Sequence, residues 1–356
     1  MSDPVPVHVL VVGDPYMPAS VYAPYLAVLG DRVTVTSMQI TGITGAPPRT
    51  GSERRLREYV GDPAEIVRAA AGQEVLIVHG APVSAEVLDA APLRLVCCAR
   101  GGPVNVDVAA ATDRGIPVVN TPGKNAAAVA ELTIAFALLL IRAVPRASRY
   151  LAEQGSLAES VFGGSEFFGR EAASLTLGLV GLGRVGREVA ARARALGFAL
   201  LAYDPVIPAA VADDVDMVPL EALLERSDIV SLHARATPEN RHMFSRAEFA
   251  RMRPGAFFIN TARESLVDEP ALQAALEQGA LGGAGLDVLE RPPAGTRHPL
   301  LAAPNILVTP HIGGATTETL DRGAQRAVAA VASLLAGRVP DDVMNPQVLN
   351  AGKAMT

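Results

Sequence analysis

The sequence predicts an α/β protein with two doubly wound parallel-sheet domains, on three observations. A chain of 356 residues is too long for one ordinary hydrophobic core, so two domains are expected. Apolar residues make up 49% of the chain and aromatic residues only 4%, which suits aliphatic packing. Short β-branched runs also alternate with longer Ala-rich stretches, which is typical of helices packed on a parallel sheet.

The first α/β series occupies the N-terminal third of the chain. Four short apolar runs predict its strands: Val7–Val12, Val75–Val78, Leu93–Cys98 and Val118–Val119. Between them, the spacing predicts helices around Ser20–Leu29, Asp62–Ala71 and Ser84–Ala90. The stretch Gly42–Ser52 is rich in Gly, Pro and Thr and indicates a surface loop.

The second series begins at Ser174, after an apolar helix from about Asn125 to Arg142 and a Gly-rich loop or interface arm at Gly155–Gly169. Six strands separated by helices predict a complete doubly wound sheet. They are Leu175–Val180, Ala199–Tyr203, Ile229–Leu232, Ala256–Asn260, Gly283–Leu286 and Ile306–Val308. A last helix is expected at about Thr316–Leu335.

Charge and cysteine content exclude several functional classes. A net charge of −6 is unlike the basic surface of a nucleic-acid binder. Cys97 and Cys98 lie in an apolar run, so we interpret them as small buried residues and expect neither a disulfide nor a zinc site. The longest apolar run, Ile134–Ile141, is far shorter than a membrane span. We therefore expect a cytoplasmic protein without a metal, a membrane partner or a nucleic-acid partner.

The motif Gly181-Leu182-Gly183-Arg184-Val185-Gly186 predicts a dinucleotide site of the Rossmann type, because it joins a buried strand to a helix. Gly181 allows the tight turn, Gly183 lets the backbone approach a pyrophosphate, and Gly186 permits close packing of helix and strand. Asp204 ends the next strand, where an acid accepts hydrogen bonds from ribose hydroxyls and repels a 2′-phosphate. NAD is thus favoured over NADP. The alternative is a Gly-rich turn that binds nothing.

Two further side chains predict the reaction. Arg263 follows the strand Ala256–Ile259 within Asn260-Thr261-Ala262-Arg263, and His311 follows the strand Ile306–Val308. Both would lie at the carboxyl ends of strands, where open α/β sheets bind ligands. Beside a nicotinamide, an Arg and a His supply a carboxylate clamp and a proton donor, as reduction of a 2-keto acid needs. The alternatives are a surface ion pair for Arg263 and a packed histidine for His311.

The chain resembles the D-isomer-specific 2-hydroxyacid dehydrogenase family, which includes phosphoglycerate, glycerate, lactate and formate dehydrogenases. The resemblance covers Val118 to Ala315 in family order and is weaker before it. Five stretches carry it: Val118–Glu131, Thr176–Gly186, His233–Asn240, Arg253–Glu269 and His298–Ala315.

The resemblance implies a role for each matching residue. Arg263 would bind the substrate carboxylate and carbonyl oxygen, His311 would exchange a proton with that oxygen, and Asp287 would contact the nicotinamide carboxamide. The remaining cofactor contacts would come from Gly181, Gly183, Arg184, Val185, Gly186, Asp204, His233, Thr261 and Ala262. It also implies a substrate domain of residues 1–119 with 315–356, an NAD domain of residues 120–314, a cleft between them that holds both ligands, and a homodimer.

One departure concerns the acid–base pair. The family usually places a Glu where this chain has Pro292, and that Glu pairs with the catalytic histidine. Three alternatives are open: a shift of the loop that brings Glu290 to the histidine, another polar group in the place of the Glu, or weak or altered chemistry. We adopt the first hypothesis, because Glu290 lies only two residues away.

The substrate side is less defined. The resemblance implies that Gly101 and Gly102 bring backbone N–H groups to the substrate carboxylate, and His79 follows a strand whose loop should line the same cleft. Arg100 could hold a second acidic or phosphate group, which favours 3-phosphoglycerate or a sugar acid, or could form an ion pair within the fold. Two other functions stay open: an NAD(H)-responsive binding protein similar to corepressors of the family, and a phosphite-type dehydrogenase.

Overall fold

The computed structural model describes residues 5–154, 167–208, 215–290 and 295–351. It divides into two compact units, each with its own sheet. Unit 1 comprises Met1–Lys124 and Ala315–Thr356, and unit 2 comprises Asn125–Gly314.

Unit 1 contains a parallel sheet with the order β2-β1-β3-β4-β5 among its described residues. The strands are β1 (Val7–Gly13), β2 (Val33–Gln39), β3 (Val75–Val78), β4 (Leu95–Cys98) and β5 (Val118–Val119). Strand β2 was not predicted. Its sequence, VTVTSMQ, carries mostly polar side chains and stays largely exposed at the sheet edge, so no apolar run marks it.

Helices cover both faces of this sheet: α1 (Ala23–Ala27), α2 (Pro63–Ala70), α3 (Ala85–Asp89) and α4 (Val108–Asp113). Alternate strand residues serve two cores, as the two-residue period of a strand requires. Leu10 and Val12 pack on one face, whereas Val9 and Val11 pack on the other. Cys97 and Cys98 are buried free thiols, as predicted, and burial raises the pKa of Cys98 to about 11.

Unit 2 contains a parallel sheet with the order β12-β11-β10-β9-β6-β7-β8 among its described residues. Six of its strands confirm the prediction: β6 (Thr176–Val180), β7 (Ala199–Tyr203), β9 (Ile229–Leu232), β10 (Ala256–Asn260), β11 (Leu281–Leu286) and β12 (Ile306–Val308). The edge strand β8 (Asp216–Met217), which is only two residues long, was not predicted.

The helices of unit 2 are α5 (Ala126–Ile141), α6 (Val144–Gln154), α7 (Arg184–Ala195), α8 (Leu220–Arg226), α9 (Arg246–Arg251) and α10 (Glu269–Glu277). The apolar α5 packs against the sheet so closely that a Cβ on Gly285 would lie 2.9 Å from Phe136. Helix α6 was not predicted, and most of the expected loop Gly155–Gly169 lies outside the described residues.

The chain then returns to unit 1 as α11 (Thr317–Leu335) and α12 (Val348–Ala351). Helix α11 buries Ala324, Ala327, Val328 and Val331 against β1, β3 and β4. The α/β class with two parallel sheets is therefore confirmed. Within the described residues, no single helix is both long and apolar enough to cross a membrane.

Candidate active site

The glycine turn of unit 2 has the shape of a dinucleotide cradle. Gly181 has φ +99°, which favours glycine, and a Cβ on Gly186 would lie 2.2 Å from the Gly181 oxygen. Gly183 is exposed and is the N-cap residue of α7, and no atom lies within 4 Å of the position that a Cβ on it would take. Arg184 beside it is exposed and Val185 partly buried. The turn and the helix N-terminus therefore fit a pyrophosphate.

Asp204 lies at the end of β7, beside this turn. Its Oδ2 accepts the N–H of Leu182 at 2.9 Å, while Oδ1 accepts the N–H groups of Val206 and Ile207 at 2.9 and 3.1 Å. The carboxylate thus fixes the glycine turn and stays partly exposed, where its charge disfavours a 2′-phosphate.

His233 follows β9 and packs against the same turn. Its Nε2 lies 2.9 Å from the Ser231 hydroxyl, and its buried Nδ1 has no hydrogen-bond partner among the described residues. Burial lowers the pKa of His233 to about 3, so its imidazole is neutral at physiological pH. A neutral ring with an unpaired nitrogen fits a site for a polar cofactor.

The segment after β10 presents Arg263. The Asn260 side chain accepts the N–H of Ala262 and donates to the carbonyl of Arg263, both at 2.9 Å, which fixes the turn. The exposed Arg263 guanidinium donates to the Ala262 carbonyl at 2.7 Å and has no carboxylate partner among the described residues. It is therefore available to an anionic ligand. The hydroxyl of Thr261 instead lies 2.9 Å from that of Thr133 on α5.

His311 lies in a loop that Asp287 holds in place. The Asp287 carboxylate is 2% exposed and accepts the hydroxyl of Thr309 at 2.6 Å and the N–H groups of Ile312 and Gly313 at 2.8 and 2.7 Å. His311 is exposed, and its φ of +58° is unusual for a residue with a side chain. Asp287 therefore positions the loop, and its expected contact with a nicotinamide carboxamide stays a prediction.

Glu290 has other partners in this structure. Its Oε1 lies 3.3 Å from Arg241 and 3.8 Å from Nε2 of His242, and the described residues contain no ion pair between Glu290 and His311. Its N–H donates at 2.7 Å to the buried Glu269, whose carboxylate also lies 2.8 Å from Nε2 of His298. Burial raises the pKa of Glu269. Pro292 lies outside the described residues, so its comparison with the family Glu rests on sequence alone.

In unit 1, Asp14 and His79 follow the neighbouring strands β1 and β3, at the point where the strand order reverses. Nδ1 of His79 lies at hydrogen-bond distance, 2.9 Å, from Oδ2 of Asp14. The His79 ring stacks on the Tyr16 ring, with 4.9 Å between the ring centroids. Burial lowers the pKa of His79. Burial acts to raise the pKa of Asp14, but the contact with His79 and the hydrogen bonds from the N–H groups of Met17 and Gly80 together outweigh it, so that pKa is lowered. Sheets with this strand order bind ligands at this point.

Arg100 forms an ion pair within the fold, one of the two alternatives that the sequence left open. Its guanidinium donates to the Glu58 carboxylate at 2.6 Å and to the Glu58 carbonyl at 2.8 Å. Gly101 and Gly102 are exposed, and their N–H groups have no hydrogen-bond acceptor among the described residues. They remain suitable for a carboxylate.

Lys124 was not among the predicted site residues, although it lies among these loops in the structure. Its side chain is 5% exposed, and its Nζ lies 5.9 Å from the centre of the Tyr16 ring. Composition carried the only signal: the chain has 29 Arg and just two Lys.

A dinucleotide cradle and an Arg and a His at strand ends define a nicotinamide-dependent dehydrogenase. Residues 134–313, about half of the chain, match the family described as D-isomer specific 2-hydroxyacid dehydrogenase, NAD binding domain. The chain belongs to this family. The predicted enzyme class and the NAD cofactor are thereby confirmed at the level of the family.

Similar proteins differ in the substrates that they are named for. The glyoxylate reductase of Korarchaeum cryptofilum is 38% identical over 274 residues, which cover 75% of this chain and 81% of that protein. The D-3-phosphoglycerate dehydrogenase of Mycobacterium tuberculosis is 40% identical over 288 residues, covering 80% of this chain but 53% of that protein. This chain thus spans about half the length of that relative.

A solved structure shows the same fold over nearly the whole chain. It is the D-lactate dehydrogenase of Aquifex aeolicus complexed with NAD and lactic acid, with a TM-score of 0.71 and 26% identity. The match covers 95% of this chain and 99% of that one. The family is shown, whereas the individual substrate is not.

Proposed function

We propose that the protein interconverts a D-2-hydroxy acid and its 2-keto acid with NAD. The observation that supports this proposal is the position of three side chains at the carboxyl ends of three adjacent strands, β10, β11 and β12. Arg263 follows the first, Asp287 the second and His311 the third. Because the strands are parallel, their carboxyl ends share one edge, so a cation and a proton carrier lie on the same side of the sheet.

Each side chain has a defined task in reduction. Arg263 binds the substrate carboxylate, since its exposed guanidinium has no acid partner among the described residues and can bind two oxygens. His311 donates a proton to the carbonyl oxygen and removes it in the reverse direction. NAD, when bound, supplies or accepts the hydride. One keto acid, one NADH and one proton thus give one hydroxy acid and one NAD⁺.

Glu290 is the carboxylate that we propose as the partner of His311. It would have to leave Arg241 and His242, and those half-exposed contacts contribute only about 0–1 kcal/mol. The hydrogen bond from its N–H to the buried Glu269 would keep the backbone in place during that movement.

We propose that unit 1 recognises the substrate, with the N–H groups of Gly101 and Gly102 on its carboxylate. The loops that hold His79 and Arg100 would contact the rest of the molecule. A phosphorylated or sugar-derived acid remains our first candidate, in line with the named activity of the mycobacterial relative. The homodimer and the cytoplasmic location stay predictions.

A panel of 2-keto acids tests the function. NADH oxidation is followed with glyoxylate, hydroxypyruvate, phosphohydroxypyruvate and sugar-derived keto acids, and the chirality of each product is determined. We expect turnover to the D-hydroxy acid, and a loss of at least 100-fold in kcat/KM in Arg263→Ala, with partial activity in Arg263→Lys.

The other functions make different predictions in the same assay. NADH binding without turnover of any acid would favour the NAD(H)-responsive binding protein. Reduction of NAD by phosphite, with no reaction of keto acids, would favour the phosphite-type dehydrogenase. Either result would contradict our proposal.

A further inference from the structure

Loops of unit 1 gather a set of charged and aromatic side chains at one sheet edge, which we name the Lys124 cluster: Asp14, Tyr16, His79, Arg100 and Lys124. They follow β1, β3, β4 and β5, whose carboxyl ends lie side by side. The loops are also bonded to each other, because the Thr121 N–H donates to the Arg100 carbonyl at 2.9 Å and Asn105 donates to the His79 carbonyl at 3.0 Å.

Lys124 is a buried cation that forms no ion pair with a described residue of this cluster. Only 5% of it is exposed, and its described contacts are the Met17 sulfur at 4.0 Å and the Tyr16 ring at 5.9 Å. A cation above an aromatic face is stabilised modestly, but neither contact replaces an anionic oxygen. No ion pair of Lys124 occurs within the described residues, so its ammonium is incompletely compensated.

The nearby acids are already engaged. Both oxygens of Asp14 are used: Oδ1 accepts the N–H groups of Tyr16 and Met17, and Oδ2 accepts Gly80 N–H and contacts His79. Glu58 is paired with Arg100. Neither carboxylate is therefore free to neutralise Lys124 without losing its present contacts.

The surrounding fold holds Lys124 in place. From α11, Arg322 donates to the Lys124 carbonyl and Arg326 to the Pro122 carbonyl, both at 2.7 Å. Gly323 on the same helix leaves room for the side chain, since a Cβ there would lie 3.3 Å from Nζ. The same loop contains a second unmatched polar atom, the buried Oγ1 of Thr121.

The residue type is informative as well. The chain contains 29 Arg and two Lys, so a Lys instead of an Arg at a buried position is unusual for this sequence. An ammonium is a compact point charge that fits a small space, whereas a guanidinium needs a planar one. Burial lowers the pKa of Lys124 to about 8; the charge of Arg100 acts in the same direction, whereas Cys98 and Asp14 partly oppose it. An anion bound beside it would raise that pKa again.

We propose that Lys124 binds a second acidic group of the substrate, a carboxylate or a phosphate remote from the 2-keto carboxylate. This inference rests on the proposed function and narrows its substrate class to acids with two anionic ends. Tyr16 and Met17 are the apolar neighbours of the ammonium.

Substrate pairs that differ only at the remote end test the proposal. The pairs are phosphohydroxypyruvate with hydroxypyruvate, and oxaloacetate with pyruvate, so that the two pairs distinguish phosphate from carboxylate. In the wild type we expect the acidic member of at least one pair to have the higher kcat/KM. Lys124→Met should lower that selectivity ratio tenfold or more, mainly through KM, and Lys124→Arg by less. Lys353→Met is the matched lysine control and should not change it.

A selectivity ratio that stays within threefold in Lys124→Met would overturn the proposal, as would a wild-type preference for the uncharged member of both pairs. Thermal unfolding separates binding from structure. Because Met matches Lys in length without its charge, Lys124→Met should raise Tm by a few degrees while selectivity falls. A lowered Tm with unchanged selectivity would assign Lys124 a structural role only.

A titration that needs no turnover tests this proposal independently of the proposed function. Protein labelled with ¹³C at lysine Cε gives signals from two lysines, and Lys124→Arg assigns one of them. We expect the ammonium group of Lys124 to titrate with a midpoint near pH 8, in line with its lowered pKa. This midpoint should rise by about one pH unit or more when inorganic phosphate or malonate is added. An unchanged midpoint would overturn the anion site. If the midpoint rises but no keto acid reacts, the anion site stands and the proposed function fails.

Discussion

Replacing Asp287 with Asn tests whether this carboxylate holds the loop of His311. The buried Asp287 accepts three hydrogen bonds, from the Thr309 hydroxyl and from the N–H groups of Ile312 and Gly313. Asn has nearly the same size but only one acceptor oxygen, and its NH₂ is a donor. At least one donor of the loop must therefore lose its acceptor.

The cost follows from these contacts. A hydrogen bond to a charged group contributes about 1.5–3 kcal/mol, and a buried donor left unpaired costs about 1–3 kcal/mol. We expect Asp287→Asn to lower the free energy of unfolding by about 2–4 kcal/mol. The φ of +58° at His311 itself costs on the order of 1 kcal/mol, so a loosened loop would leave this conformation. A displacement of about 1 Å then lowers kcat about 100-fold.

The assay combines steady-state kinetics on the best substrate of the panel, NADH affinity and thermal unfolding. Thr309→Val is the matched control, because it removes one hydrogen bond from the same carboxylate and leaves both backbone contacts; its kcat should fall less than tenfold. Asp287→Asn with kcat and Tm close to wild type would refute the positioning role. A defect confined to NADH affinity would instead support the predicted contact with the nicotinamide carboxamide.

Three further variants test other parts of the site. Glu290→Gln should lower kcat at least about tenfold. Because a carboxylate stabilises a protonated histidine, the variant should also move the basic limb of the pH profile of kcat/KM for reduction to lower pH. A near-normal pH profile would exclude Glu290 as the partner of His311. Asp204→Asn should raise KM for NAD about tenfold and reduce the preference over NADP, and an unchanged cofactor preference would contradict its role. His233 has a lowered pKa, so its contribution to stability is present above pH 6.5 and is lost as the pH falls towards 3. Between pH 7 and pH 5, the wild type should therefore lose about 2 kcal/mol more stability than His233→Gln in urea unfolding, and equal losses would contradict this.

The sequence predicted the strands whose apolar side chains are buried, because burial on both faces leaves continuous runs such as Val75–Val78. It missed β2 and β8, which lie at sheet edges and bury few side chains. Helix α6 also escaped prediction. Propensity and periodicity thus predicted the buried central strands better than the short or exposed strands at the sheet edges.

The site residues were predictable where a strand end fixes their position, as for Arg263 and His311. The partners of long side chains were not. Arg100 pairs with Glu58, which lies 42 residues earlier, and this contact depends on how separate loops pack. Lys124 was missed for the same reason, since its burial arises from loops that follow separate strands.

The proton-donor role of His311 is tested by the kcat of His311→Asn beside the wild type at saturating NADH and keto acid. Asn fits the space and the positive φ of this position but cannot donate a proton in the same way. We expect kcat to fall at least 100-fold while NADH affinity and Tm change little. A kcat within threefold of the wild type would show that the proton comes from elsewhere, and would contradict the acid–base role of His311.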